Sequence, residues 1–309
     1  MTTATVTPEI KKQESILEAA TFLVLTRERI QLSKTLPKER VKTEVKDPKR
    51  ISSNKSLYDC VELKQLLALD GRIDGFIRSR CLPFPLKNGI YLLPKKLYSE
   101  VETELKSHKL AFDFAVQRFI DVFDQAVESS RESLGNEFNA KDYPTTEQVK
   151  NDFKFSWTYM KFGVDEQLKE ADKKVYEEQA AQWESTVKDA GDSIRQMLRA
   201  SMSDLVNHLC ERLSPTIKDG EKKKKAFHTS SIEKMNDFLS VFSARNLTGD
   251  TDLQGLAERA KQLVSGISVE NLRSDDSLRE AIKVGFEGIK KELDPLVLEK
   301  PSRSIRFEV

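Results

Sequence analysis

The sequence predicts a mostly α-helical protein organised around a long antiparallel helical hairpin, and three observations carry that expectation. Two stretches, roughly Lys96 to Phe138 and Val164 to Leu213, contain no proline. Glycine occurs in them only at Gly135 and Gly191. Each stretch carries one apolar seam at spacings of three and four or their sums, save one step of five from Val175 to Ala180, with charged residues on the other faces. In the second arm the seam is Leu168, Val175, Ala180, Trp183, Val187, Ala190, Ile194, Met197, Leu205 and Leu209. In the first it is Leu97, Val101, Leu105, Phe112, Ala115, Phe119, Val122, Ala126 and Leu134. Two such coiled-coil-like seams in one chain are expected to pair. A small N-terminal α+β region (1–95) and a C-terminal helical segment (214–309) flank the hairpin (96–213).

The elements follow in order. Residues 1–8 carry no structural signal, and Glu9 to Ala20 is compatible with helix. Thr21 to Ser33 alternates apolar and polar residues with β-branched enrichment, which predicts a strand. Leu36 to Asn54, rich in Lys and Arg and holding Pro37 and Pro48, reads as a polar excursion. Ser56 to Phe76 returns to helical periodicity, with Ser56 as the expected N-cap. The segment 80–94 then places Asn88-Gly89 between two short apolar runs, the residue pair that a two-residue β-hairpin turn favours. Pro83, Pro85 and Pro94 confine those runs to edge or irregular extended structure.

Between the arms, Thr145 or Thr146 is expected to cap a short helix supported by Glu147 and Gln148. That helix is expected to run through Phe153, Phe155, Trp157 and Tyr159 to about Phe162, with Gly163 as its stop. After Ser214-Pro215 comes a charged loop, Lys218 to Lys225. Three shorter helices follow, Ser231–Ser243, Leu253–Val264 and Asp276–Leu293, separated at Asn246, Gly249 and Gly266. The chain closes on an alternating tail, 304–309.

Composition narrows function mainly by exclusion. The chain holds 51 basic and 50 acidic residues, a formal net charge of +1, so no global field steers it to nucleic acid or an anionic membrane. Three widely spaced cysteines, Cys60, Cys81 and Cys210, and a polar N-terminus favour a reducing, cytoplasmic setting. No apolar run approaches the roughly 20 residues that span a bilayer, and the runs inside the arms are too short and too charged for a pore-forming insertion. The three histidines, His108, His208 and His228, form no metal-ligand spacing. No phosphate-binding glycine loop and no framed nucleophile occurs. The expectation is a non-enzymatic protein with no metal or cofactor.

Two segments stand out as binding candidates. The aromatic cluster Phe153–Phe162 is the densest in the chain, and Trp, Tyr and Met are residue types that anchor interfaces. Trp157, Tyr159 and Phe162, with the hairpin tip Asn88-Gly89, are the candidate partner-binding residues; core packing is the competing reading of the aromatics. Lys222, Lys223, Lys224 and Lys225, followed by Phe227 and His228, form the candidate nucleic-acid patch, since phosphates need Lys or Arg and an aromatic can stack on a base. Asp219 and Glu221 partly neutralise it, and a solvated loop competes with that reading.

The run Phe84-Pro-Leu-Lys-Asn-Gly-Ile-Tyr-Leu-Leu-Pro94 precedes a long helix, with a Phe-rich Trp segment behind it. In this arrangement the chain resembles, over about residues 20–210, a bacterial and phage family of unknown function. That family is often encoded beside MoxR/CobS-type AAA+ ATPases and von Willebrand A-type proteins. The resemblance implies a helical adaptor working with such an ATPase and supplies no catalytic residues. The alternative is a DNA-binding phage protein using the basic loop 218–225. Self-association is compatible with either.

Overall fold

The computed structural model describes residues 16–36, 52–218, 221–223, 225 and 227–297. Among the described residues the protein is mostly α, about 70% helical, with a small antiparallel sheet near the N-terminus and a long helix over 173–213. After helical residues 16–19 come strands β1 (Ala20–Glu28), β2 (Ser33–Thr35) and β3 (Asn54–Ser56), helix α1 (Val61–Arg80), and strands β4 (Leu82–Pro83) and β5 (Ile90–Pro94). Helices α2 (Tyr98–Asp121), α3 (Phe123–Leu134) and α4 (Thr146–Asp152) lead to strand β6 (Lys154–Met160). Then come α5 (Gln167–Ala171), α6 (Lys173–Leu213), and the strands β7 (Thr216–Lys218) and β8 (Glu221–Lys223). The last helices are α7 (Thr229–Arg245), α8 (Thr251–Val264), α9 (Val269–Ser274) and α10 (Asp276–Leu293). A four-stranded sheet has the order β4-β5-β1-β6; β2–β3 and β7–β8 are separate antiparallel pairs.

The chain forms two compact units, each drawn from several stretches. The larger takes the described parts of Met1–Leu23, Ser79–Tyr98 and Tyr159–Val309; the smaller takes those of Val24–Arg78 and Ser99–Thr158. This division cuts across the three consecutive regions expected from the sequence, because strands β1 and β6 each contribute to both units. The two predicted arms are present as helices, and they fall in different units.

In the larger unit, α6 opens on an N-cap in which the Asp172 carboxylate accepts from the backbone N–H groups of Lys174 and Val175. Its buried side is Val187, Ala190, Gly191, Ile194, Leu198, Met202, Val206, Leu209, Cys210 and Leu213. Helix α10 is its main neighbour, through a face that buries Ile282, Phe286, Ile289 and Leu293, and α7 is a second neighbour. Before Val187 the helix is mostly exposed, and Val175, an expected seam residue, is among the exposed apolar side chains. Beyond Ile194 the buried row runs through Leu198, Met202 and Val206, so the expected seam residues Met197 and Leu205 are only half-buried. The three predicted C-terminal helices are present, with Asp250 and Asp275 as N-caps and Gly249 and Gly266 at positive φ in the turns.

Helix α10 approaches α8 closely at a glycine. A Cβ built on Gly285 would stand 2.6 Å from Cδ2 and 2.8 Å from Cδ1 of Leu263, with Cγ at 3.3 Å, whereas Gly255 on α8 faces open space. Gly285→Ala is therefore expected to destabilise by about 1–2 kcal/mol, overpacking outweighing the helix-propensity gain. Gly255→Ala should stabilise by about 0.5–1 kcal/mol. Urea titration of both variants checks the pair, and equal shifts would show that Leu263 yields freely.

In the smaller unit the first arm is broken. Val122 leaves the helix at φ −109° and ψ 3°, so that α3 restarts with Phe123 buried rather than Val122. Phe119, fully buried, takes Tyr58, Phe123 and Phe153 as edge-on or tilted ring neighbours at 5.7–5.9 Å. Such aromatic pairs contribute beyond their buried area. Ser56 does not cap a helix: it ends β3, Leu57 and Tyr58 enter the core, and α1 begins only at Val61. In the β2–β3 ladder Lys34 lies directly opposite Lys55. Such like-charge pairs are unfavourable, and the Asp142 carboxylate offsets the repulsion by binding both ammonium groups, at 2.5 and 2.7 Å. Those hydrogen bonds from Lys34 and Lys55 hold the Asp142 carboxyl below the usual carboxylate range. The terminal stretches 1–8 and 304–309, and most of the Leu36–Asn54 excursion, lie outside the described residues.

Candidate interaction surface

The aromatic segment is where the structure departs most from the helical expectation. The Thr145 capping box closes as predicted: its side chain accepts from the Gln148 N–H and the Gln148 side chain accepts from the Thr145 N–H. Helix α4 nevertheless stops at Asp152, and Lys154–Met160 is a strand. The reason lies in the residues themselves. KFSWTYM alternates aromatic with polar side chains, which puts every ring on one face of a pleated strand, whereas a helix would scatter them around its axis.

Along that face burial declines. Phe153 and Phe155 are buried, and Trp157 and Tyr159 are half-buried. In the smaller unit Phe155 packs on Phe112 of α2 at 5.7 Å, and Trp157 on Phe155 at 5.8 Å. The Trp157 indole Nε1 donates to the Glu102 carboxylate at 2.9 Å. In the larger unit Tyr159 lies against Tyr98, ring centroids 4.9 Å apart. Tyr98 is 42% exposed, and Met160, next in the strand, 46%.

The remaining candidates divide in the same way. Phe162 belongs to the larger unit's aromatic cluster: it meets Phe22 edge-on at 4.8 Å, and Phe22 in turn meets Phe84 and Trp183. Asn88 and Gly89 sit at a hairpin tip, as predicted, with Gly89 at φ +87° and the Ile90 N–H donating to the Lys87 carbonyl. The connection is longer than two residues. Leu82 pairs with Leu92 and Pro83 with Tyr91, and the Phe84 N–H reaches the Ile90 carbonyl, so Pro85–Gly89 form the loop. Proline at 83 and 85 removes donors that a tighter ladder would use. Leu86 and Asn88 are exposed there.

The basic segment is part of the β7–β8 ladder, in which Ile217 lies opposite Lys222 and Thr216 opposite Lys223. Lys224 lies outside the described residues. Lys225 is held: its ammonium donates to Glu211 at 2.9 Å, and its carbonyl accepts from buried Arg279. Arg279 also donates to the carbonyls of Arg212 and Leu213, satisfying the last turn of α6, and Arg273 donates twice to the Phe227 carbonyl. Phe227, a candidate stacking residue, is buried.

Among the described residues no group of three or more His, Cys, Asp and Glu side chains is placed to hold a metal. His108 packs on the Phe76 ring, and His208 lies 3.3 Å from the Ser231 hydroxyl. Burial pushes the Cys60 and Cys210 thiols up and Cys81 up to about 12, which disfavours the thiolate. Among the described residues no helix is long and apolar enough to cross a membrane. Compared with family models, curated proteins and solved structures, the chain has no significant match.

Proposed function

We propose that the protein is a non-enzymatic helical interaction protein, an adaptor that presents aromatic side chains to a protein partner. The observation that carries this reading is the Tyr98–Tyr159 ring pair, in which Tyr98 is exposed and Tyr159 half-buried, followed in the strand by exposed Met160 on the opposite face. In the smaller unit Trp157 is half-buried, its polar end satisfied by Glu102, and it is a candidate anchor by itself. The partner class comes from the sequence resemblance, a MoxR-type AAA+ ATPase in a bacterial or phage cytoplasm. The cysteines, free as thiols, suit that compartment.

The test uses the purified 309-residue chain as bait for a purified MoxR-type ATPase from the same host. Trp157→Ala with Tyr159→Ala is expected to weaken capture by about 2 kcal/mol or more, roughly thirtyfold, while the far-UV helical signal stays intact. Capture at full strength would return the rings to a purely internal role, and loss of the helical signal would make them core. The DNA-binding reading keeps one supporting feature, consecutive lysines carried on the β7–β8 ladder. A gel shift that weakens steeply with salt and with Lys222→Ala/Lys223→Ala would favour it over the adaptor.

A further inference from the structure

Helix α2 buries one row of side chains, Val101, Leu105, Phe112, Val116 and Phe119, in the smaller unit. On its opposite side Ser107, Leu110, Phe114 and Gln117 follow at steps of three, four and three, the spacing of a second seam. All four are exposed. Leu110 is 74% exposed and Phe114 67%, the two most open large apolar side chains among the described residues. Single apolar side chains are ordinary on a protein surface; two that share one helix face a turn apart, with exposed Ala111 beside them, form a patch.

The charges beside this patch complement a reversed copy of themselves. Glu104, Ala111 and Arg118 run along one edge, seven residues apart and all exposed, with opposite charges at the two ends. Within the chain the Arg118 guanidinium reaches Glu62 only at 4.0 Å. From this self-complementary pattern we infer that α2 packs antiparallel against α2 of a second copy of this chain, about a two-fold axis midway between Leu110 and Phe114. The register seats Leu110 on Phe114 of the copy and Phe114 on its Leu110, with Ser107 and Gln117 closing each end. Along the edge it brings Glu104 to Arg118 of the copy, twice over, in the way that edge charges set the orientation of paired helices. Ala111 meets Ala111 of the copy near the axis, where small side chains let helices approach. On the other edge Asp113 faces Asp113 of the copy, and Lys109 offsets that repulsion within each chain by binding both carboxylate oxygens, at 2.5 and 2.6 Å. An isologous contact of this type closes on itself. One helix pair buries less than the roughly 1,200 Å² of a standard interface, so the dimer is expected to be concentration-dependent. The inference does not rest on the adaptor reading, since it is read out without any other partner.

Sedimentation velocity on the 309-residue chain over a hundredfold concentration range tests it. The wild type should shift from monomer to dimer. Leu110→Lys with Phe114→Lys removes the apolar centre and should weaken the dimer about thirtyfold or more, with the far-UV helical signal unchanged because both side chains are exposed. Glu104→Arg sets an arginine against Arg118 of the copy at both ends and should weaken the dimer about tenfold. Adding Arg118→Glu exchanges the two charges, recreates both pairs and should restore it. A wild type that stays monomeric, a dimer that survives the double lysine, a Glu104→Arg variant that dimerises like the wild type, or a charge exchange no better than Glu104→Arg alone would each overturn the pairing.

Discussion

Asp250→Ala is expected to cost the larger unit about 3–5 kcal/mol, the penalty for removing one partner of a buried ion pair. The Asp250 side chain is 3% exposed and lies in a bidentate pair with Arg199, at 2.7 and 3.1 Å. It also caps α8 by accepting from the Leu253 N–H, while Arg199 donates onward to the Leu296 carbonyl. The substitution therefore removes a cap and leaves the half-buried Arg199 guanidinium without its carboxylate. Burial by itself would raise the Asp250 carboxyl; the hydrogen bonds from Arg199 and the Leu253 N–H, with the Arg199 charge, overcome it and leave the group below its ordinary value.

A carboxyl lowered by folding contributes stability that is present above its unfolded value, near pH 4. That contribution is lost as pH falls through the lower folded value. The two tryptophans, Trp157 and Trp183, fall in different units. In a Trp157→Phe background Trp183 fluorescence therefore reports the larger unit. Urea midpoints between pH 2 and pH 7 should fall at the acid end for Asp250, and less so for Asp250→Asn. An Asn variant with the same acid loss would assign that loss to other carboxylates.

Ile194→Ala is expected to cost about 2–5 kcal/mol, as a fully packed aliphatic truncation. Ile194 is 1% exposed on the face of α6 that packs in the larger unit's core. Lys188→Ala, on the solvent side nearly two turns earlier, should stay within about 0.5 kcal/mol. Leu205→Ala is the informative intermediate. The heptad-like pattern places Leu205 in the seam, whereas the fold buries Val206 and leaves Leu205 half-exposed, so its truncation should fall clearly below that of Ile194. The same Trp183 readout checks all three. Equal losses at Ile194 and Leu205 would restore the seam as the pattern draws it.

The elements legible in the residues are those whose signals are local. Asp250 and Asp275 cap helices because a carboxylate one residue ahead of the first turn meets its unsatisfied N–H groups, and the Thr145–Gln148 box closes for the same reason. Asp172 does so too, but inside an arm expected to run unbroken from Val164. Gly89, Gly249 and Gly266 take positive φ at the turns where they were expected. The aromatic strand was also legible, since KFSWTYM has a period of two. The capping box just upstream and the density of rings suggested that the helix continued, and only the alternation argued against it.

What the tertiary structure alone decided is which surface meets which. A three-and-four seam specifies that one side of a helix is buried and does not name the partner. Each arm's seam packs against elements of its own unit, α6 on α10 and the first arm on the rings of Tyr58, Phe153 and Phe155. The same holds for polar burial. Lys34, Lys55 and Asp142, or Arg199 and Asp250, look like ordinary surface charges in the chain. They become specific only when residues 51 or more positions apart are brought within hydrogen-bond reach. Local chemistry determines where helices and strands start and stop; long-range packing, which depends on the summed burial of whole faces, determines their partners.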